Sequence, residues 1–228
     1  MFISRAQLRK EAIHTQDMAC LMGSEYQVHH MVWDLCTDSP TRSRDFLYRY
    51  RDDAGMPSFF IVSSRELSDT RCLFDVETKP YTPVIRKGQQ LQFSLRANPI
   101  RTKRDENGRQ HRHDVVMESK TCLKDGTIPK DKWPSQPEIV QKAGFVWLAM
   151  KGESHGFAIR DGDVRVERYL SREFVKPGVA KPVRFSTLDF DGMLTVTDED
   201  LFVNALYHGI GPAKGFGCGL MMVRPVRV

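Results

Sequence analysis

Apolar and polar residues alternate from Phe2 to Leu8, a period of two that predicts a half-buried strand. A polar stretch, Arg9 to Gln16, leads to an apolar patch, Met18 to Met22, that reads as loop or as a short helical lead-in. From Ser24 the period changes. Ser24-Glu25-Tyr26-Gln27 has the form of a capping box, with Ser at the N-cap and Gln three residues later. Val28, Val32 and Leu35 then recur at spacings of four and three with Met31 beside them, which predicts a helix running to about Cys36. Strands are expected at Asp45 to Arg51, at Ser58 to Ser63 around the apolar run Phe59-Phe60-Ile61-Val62, and at Arg71 to Glu77. Glu66 to Thr70 is the only short candidate for a second helix. Pro80, Pro83 and Gly88 break the pattern, so two units are expected, residues 1–85 and residues 89–228.

In the second unit, Gln90 to Ala97 alternates strictly and predicts a strand. Arg101 to His113 is polar and basic, with Asn107-Gly108 as a hairpin-turn signal at its centre; taken alone it reads as a solvated surface loop. Ser135-Gln136-Pro137-Glu138 is a second capping box, opening a helix through Ile139, Val140, Ala143, Trp147 and Leu148. Phe157 to Leu170 is strand-like with a turn at Asp161-Gly162-Asp163, and Val183 to Phe190 and Met193 to Thr197 read as a hairpin around Asp191-Gly192. Thr197-Asp198 caps a last helix, and Leu220 to Val223 is a last strand. The order strand, helix, strands, helix, strand is the ferredoxin-like βαββαβ arrangement; the first unit is a weaker version of it. The fold class expected is therefore α+β, two ferredoxin-like units in tandem. RNA-recognition modules share this order, but their Lys/Arg-Gly-Phe-Gly signature is missing, so base stacking on the sheet faces is not supported.

Between the last helix and strand lies His208-Gly209-Ile210-Gly211-Pro212-Ala213-Lys214-Gly215-Phe216-Gly217-Cys218-Gly219, with five glycines in eleven residues. A helix C-cap would explain one or two of them. Bare backbone around a lysine suits a phosphate- or RNA-facing loop. It is not a P-loop, because Gly215 rather than Ser or Thr follows Lys214 and the helix precedes the loop. A dinucleotide fingerprint also opens a helix, so neither ATP nor NAD follows. The net charge of +5 suits an anionic partner without requiring one.

The chain has 228 residues, 40% hydrophobic and 28% charged, a foldable composition. No apolar run approaches the ~20 residues a membrane helix needs, and the N-terminus lacks a signal peptide's apolar core. Five scattered cysteines, Cys20, Cys36, Cys72, Cys122 and Cys218, form no CxxC pair, so neither a disulfide framework nor a zinc site is expected. The seven histidines show no metal-ligand pattern, and the acidic residues show no two-metal grouping. A reduced, cytoplasmic protein without cofactor, metal or membrane partner is the expectation.

Tyr26 and His29 lie three residues apart near the start of the first helix, where free N–H groups favour an anion. An imidazole can deprotonate a ribose 2′-hydroxyl or protonate a leaving 5′-oxygen, and a phenol can hold the attacking hydroxyl or stabilise charge on phosphorus. From spacing alone the plainer account, a packed Tyr26 and a surface His29, stands first.

Four segments change that balance. Met1-Phe2-Ile3-Ser4-Arg5, Tyr26-Gln27-Val28-His29 with Trp33 to Leu35 and Arg44-Asp45-Phe46-Leu47, Phe93-Ser94-Leu95-Arg96-Ala97-Asn98-Pro99-Ile100, and Gly209-Ile210-Gly211-Pro212-Ala213-Lys214 with Gly217-Cys218-Gly219-Leu220 make the chain resemble the CasE family, CRISPR-associated endoribonucleases of type I-E systems. The resemblance implies two tandem ferredoxin-like domains. It also implies binding of the repeat stem-loop in CRISPR precursor RNA and metal-independent cleavage at the 3′ base of the stem. The 2′-hydroxyl attacks, leaving a 2′,3′-cyclic or 3′ phosphate and a 5′-hydroxyl. The product is then kept within Cascade beside its other subunits, the free protein being a monomer. The family's Tyr-x-x-His motif falls on Tyr26 and His29. Some relatives have basic residues just beyond that histidine, where this chain has His30 and Asp34. Phosphate neutralisation is then expected from Arg96, from the Arg101 to Arg112 segment with Arg101, Lys103 and Arg104, and from Lys214, while Gly211, Gly215 and Gly217 are expected to bring bare loop backbone to the RNA. The alternative is a subunit that holds an RNA hairpin without cutting it.

Overall fold

The structure is a computed structural model, and it describes residues 1–14, 25–36, 43–53, 56–126, 129–175, 178–179 and 181–226. In the first half, strands β1 (Phe2–Leu8), β2 (Phe46–Asp53), β3 (Met56–Ser63) and β4 (Phe74–Pro80) form an antiparallel sheet in the order β2-β3-β1-β4. Helix α1 (Glu25–Cys36) crosses one face. The period of two in β1 puts Ala6 and Leu8 on that face, and the register aligns Ala6 with Phe59 and Tyr48 with Ile61. These side chains close over Met31, Val32, Leu35 and Cys36 of α1. Ser24, the expected N-cap, and the patch Met18 to Met22 lie outside the described residues.

The second half repeats the order with additions. Strands β5 (Gln90–Ala97), β8 (Phe157–Ala158), β9 (Val164–Phe174), β10 (Val183–Val196) and β11 (Met221–Pro225) form a sheet in the order β11-β5-β10-β8, with β9 also paired to β10. Between β5 and the long helix α3 (Gln136–His155) are a two-stranded ribbon, β6 (Ile100–Arg104) and β7 (Gln110–Asp114), and helix α2 (Val115–Asp125). Helix α4 (Glu199–His208) precedes the glycine-rich loop. Each half thus has the ferredoxin-like strand order, in tandem. The core of the second half joins Leu91, Phe93 and Leu95 of β5 to Trp147 and Leu148 of α3 and Phe190 of β10, with Trp147 stacked on Phe190 at 5.7 Å. Each such fully buried large apolar side chain contributes about 1.5–3 kcal/mol.

Three expectations change on contact with the fold. Residues 64–73 connect β3 to β4 without a helix, so Glu66 to Thr70 is irregular. Arg101 to His113, read as a surface loop, is the β6–β7 hairpin; Asp105 organises its turn by accepting from the Asn107 and Arg109 backbone N–H groups at 3.0 and 2.8 Å. Asp191-Gly192 is no turn, since β10 runs unbroken through it. A Cβ on Gly192 would lie 2.2 Å from the Asp163 carbonyl oxygen, which itself accepts from Met193 N–H at 3.0 Å. The glycine lets the β8–β9 turn approach a continuous strand.

The cap signals at Ser135 and Asp198 hold, because caps are local. Ser135 donates from its backbone N–H and its hydroxyl to Glu138 Oε2, both at 2.7 Å, and Asp198 accepts from Leu201 N–H at 2.9 Å.

The halves meet along β2. Leu47 and Val62, on the sheet face away from α1, pack with Leu220, Met222 and Tyr207 of the second half. On the other side, the outer end of the β9–β10 ribbon reaches α1. The register of this ribbon shifts between Thr187 and Asp189, opposite Arg168 at φ 53°, a bulge that redirects its tip.

Candidate active site

Helix α1 has 12 residues, and its apolar face is spent on the sheet. That leaves Tyr26, His29 and His30 on the sides facing the second half. The glycine-rich loop comes to meet them. It straddles edge strand β2, with Gly209 against Leu47 on one face and Gly217 against the ring of Tyr48 on the other. At its crest Lys214–Phe216 forms a single 3-10 turn, bracketed by Ala213 at φ 56° and Gly217 at φ 75°.

This turn sets the chemistry of His29. The imidazole Nδ1 lies 2.7 Å from the Gly215 carbonyl oxygen. A carbonyl only accepts, so Nδ1 carries the proton and donates; in the neutral ring the lone pair then lies on Nε2. Tyr48, 1% exposed, donates its hydroxyl to the same oxygen at 3.1 Å. Phe216 sits beside the imidazole, with ring centroids 5.4 Å apart, and Trp33 flanks it at 5.6 Å.

Tyr26 stands one turn away on an aromatic wall contributed by the second half. It stacks on Phe174 at 6.1 Å and meets His30 edge-on at 4.4 Å, while Phe174 and Phe185 pack on Phe216 at 4.8 and 5.5 Å. Arg172 of β9 pairs with Glu25 at 3.2 Å and ties the ribbon tip to the start of α1. The structure therefore brings Tyr26, His29, Lys214, Gly215 and Gly217 into one neighbourhood.

The expected RNA-binding residues divide. Lys214 is half-buried; burial, with Arg44 and Lys151 near, holds its amine below the ordinary lysine pKa. The same burial, with Lys151 and Lys214 adding to it, lowers His155. Lys214 thus lies near two other cations, Arg44 and Lys151, and an anion beside the loop would be electrostatically welcome. Arg101 reaches Met150 Sδ at 3.3 Å, Lys103 pairs with Glu118, and Arg104 is exposed on the hairpin. Gly211 lies against Trp147, where an added Cβ would come within 3.3 Å of the indole. Arg96 has other work: it grips Asp189 through two hydrogen bonds of 2.7 and 2.8 Å, and that carboxylate raises its pKa. Its own carbonyl accepts from Gly219 N–H at 2.7 Å, which pins the end of the loop.

Cys218, fully buried in the loop, is pushed up to about 12 by burial, so at neutral pH it is a thiol and no nucleophile. Among the described residues, no three His, Cys, Asp or Glu side chains converge as a metal site, and no helix is long and apolar enough to cross a membrane.

Sequence reasoning missed Tyr48, Phe174, Phe185, Phe216, Arg44 and Lys151. Phe216 had a local signal as the one aromatic residue in the glycine-rich run, and Arg44 lay in a segment that carries the family resemblance. The others reach the site through tertiary contacts.

A family model described as CRISPR associated protein matches residues 1–225. The CRISPR system Cascade subunit CasE of Escherichia coli (strain K12) is 30% identical over 203 residues, which cover 88% of this chain and 92% of that protein. The chain belongs to the CasE family of CRISPR-associated proteins. A second relative, the CRISPR-associated endoribonuclease Cse3 of Thermus thermophilus, is 26% identical over 155 residues, 64% of this chain and 61% of that protein. A solved structure of CRISPR endoribonuclease Cse3 bound to a 19-nucleotide RNA superposes with a TM-score of 0.70 at 22% identity, covering 99% of this chain and 100% of that one, and so shares the tandem fold. CasE membership covers both halves of the chain, and with them both contributors to the His29 site.

Proposed function

We propose that this CasE-family chain is an endoribonuclease that binds the repeat stem-loop of CRISPR precursor RNA, cuts at the 3′ base of the stem, and stays on the product as a subunit of Cascade in the cytoplasm. The observation that carries the reading is the tether of His29 Nδ1 to the Gly215 carbonyl at 2.7 Å, with Tyr26 one turn away. It sets the imidazole up as a base through Nε2. In the reaction, Nε2 takes the proton of the 2′-hydroxyl next to the scissile phosphate. The O2′–P bond forms, the P–O5′ bond breaks, and the imidazolium gives its proton to the departing 5′-oxygen. The Tyr26 hydroxyl hydrogen-bonds charge developing on phosphorus. The products are a 2′,3′-cyclic phosphate, or the 3′ phosphate from its hydrolysis, and a 5′-hydroxyl. No step draws on a metal. Lys214 and the hairpin residues Arg101, Lys103 and Arg104 neutralise RNA phosphates, and residues 1–85 and 89–228 act as two units that clasp one RNA.

The test is incubation of the purified protein with repeat hairpin RNA in excess EDTA, reading the cut position and the product ends. Cutting at the 3′ base of the stem, with a 5′-hydroxyl on the downstream piece, is expected. Tight binding with the RNA left whole would assign the chain to hairpin holding without chemistry.

A further inference from the structure

Tyr48 is buried on β2, away from solvent, yet its hydroxyl ends on the atom that orients His29. The Gly215 carbonyl and the Phe216 N–H belong to one planar peptide unit. One side of that plane is held by Phe216 N–H donating to Ala213 O at 2.9 Å. The other side is held by two donors on Gly215 O, His29 Nδ1 at 2.7 Å and the Tyr48 hydroxyl at 3.1 Å, which a carbonyl with two lone pairs can accept together. The plane sits between glycines, in the part of the chain with the most backbone freedom, so its direction must be set from outside. Tyr48 can do this because it is itself immobile. Its ring packs edge-on to Phe59 at 6.1 Å, and it lies 3.3 Å from where a Cβ on Gly217 would be. Burial, with the charge of Glu25 adding to it, pushes its phenol well above the ordinary value, so it stays a donor at any pH at which RNA is handled.

We propose that Tyr48 is a positioning residue for cleavage: by fixing the Gly215 carbonyl it holds His29 in the Nδ1–H tautomer and aims the ring, without touching RNA. The proposal rests on the reading of His29 as the general base, and it makes catalysis depend on strand β2 as well as on α1 and the loop. Residues that act on a base through its other ring nitrogen tune tautomer and orientation more than affinity.

The experiment compares wild type with Tyr48→Phe, which keeps the buried ring and removes only the hydroxyl. Gly217→Ala serves as a second variant, pressing on the ring and straining the loop at φ 75° without removing the hydroxyl. Four quantities are read: thermal midpoint, hairpin Kd, single-turnover cleavage rate, and the side-chain 15N shifts of His29 in the free protein at mildly alkaline pH. A rate about three- to tenfold lower, the size of one hydrogen bond, is expected at a Kd within about twofold of wild type. The His29 shifts should move from a pure Nδ1–H pattern toward a mixture of tautomers. Gly217→Ala should show the same two changes. An unchanged rate, or a lower rate with the His29 pattern intact, would overturn the proposal. If the wild type bound the hairpin without cutting it, the general-base reading would fail instead, while the 15N shifts would still decide whether Tyr48 orients His29.

Discussion

The two halves are one sheet built twice, β2-β3-β1-β4 and β11-β5-β10-β8, and they diverge in the connections between strands. In the first half the link from β3 to β4 is residues 64–73, without a helix, whereas the matching link in the second half, from β10 to β11, holds α4 and the glycine-rich loop. The helices after the first strands differ as well. In α3, Ile139, Val140, Ala143, Trp147 and Leu148 are all buried in the core, while α1 leaves Tyr26 and His29 half-exposed and His30 exposed. One half offers the imidazole and the Tyr48 hydroxyl, and the other offers the Gly215 carbonyl on which both converge. The site exists where they meet, at the edge strand β2. The strand order supplies a frame, and the non-repeated connections supply the chemistry.

The comparison breaks first at His29. His29→Ala should lower the single-turnover cleavage rate about a thousandfold, within the range of general acid–base catalysis, and leave hairpin Kd near wild type. A comparable loss of affinity would place His29 in binding rather than chemistry.

Asp189 sharpens the second half's share. Asp189→Ala leaves the half-buried Arg96 guanidinium without its carboxylate and should cost about 3 kcal/mol in denaturant unfolding. That result would assign Arg96 to holding β5 and the loop end rather than to RNA. Gly192→Ala should cost about 2 kcal/mol by forcing the Asp163 turn off β10, measured the same way; a neutral result would mean the turn is free to move.

Lys214 gives a smaller, pH-dependent effect. Lys214→Ala should weaken hairpin Kd roughly tenfold and reduce the salt slope of binding by about one. Its folded pKa lies below the ordinary value, because burial and the nearby Arg44 and Lys151 disfavour the charge, so its charge is lost earlier on the alkaline side than that of an exposed lysine. RNA phosphate favours the charged form, so binding takes up a proton there. Affinity should therefore fall as pH rises toward the ordinary lysine value, while Lys214→Arg, whose charge persists, holds affinity further up the same titration.

Much of this frame is legible in the chain. The strict alternation of Gln90 to Ala97 marks β5 to the residue, the 3.6 period marks α1, and the capping box at Ser135 with the same period marks α3, because those patterns are set locally. Gly192 misleads because glycine signals a turn and a close approach with the same letter. Helix α2 has only Val115 and Val116 buried, too short an apolar face to show a period. The proposal of Tyr26 and His29 as catalytic pair comes from a family resemblance in the sequence, whereas the geometry around them does not. A backbone carbonyl at Gly215 and a hydroxyl at Tyr48 carry no pattern of their own, and 186 and 167 residues separate them from their partners.

The most direct test is a single atom in the substrate. Repeat hairpin RNA carrying a 2′-deoxyribose at the nucleotide just before the cut is offered to the wild-type protein in excess EDTA, beside the all-ribose hairpin. If His29 works by deprotonating that 2′-hydroxyl, the deoxy hairpin is bound with unchanged Kd and stays intact while the ribose hairpin is cut. Cleavage of the deoxy hairpin at the same position would contradict this account, because the attacking oxygen would have to come from water.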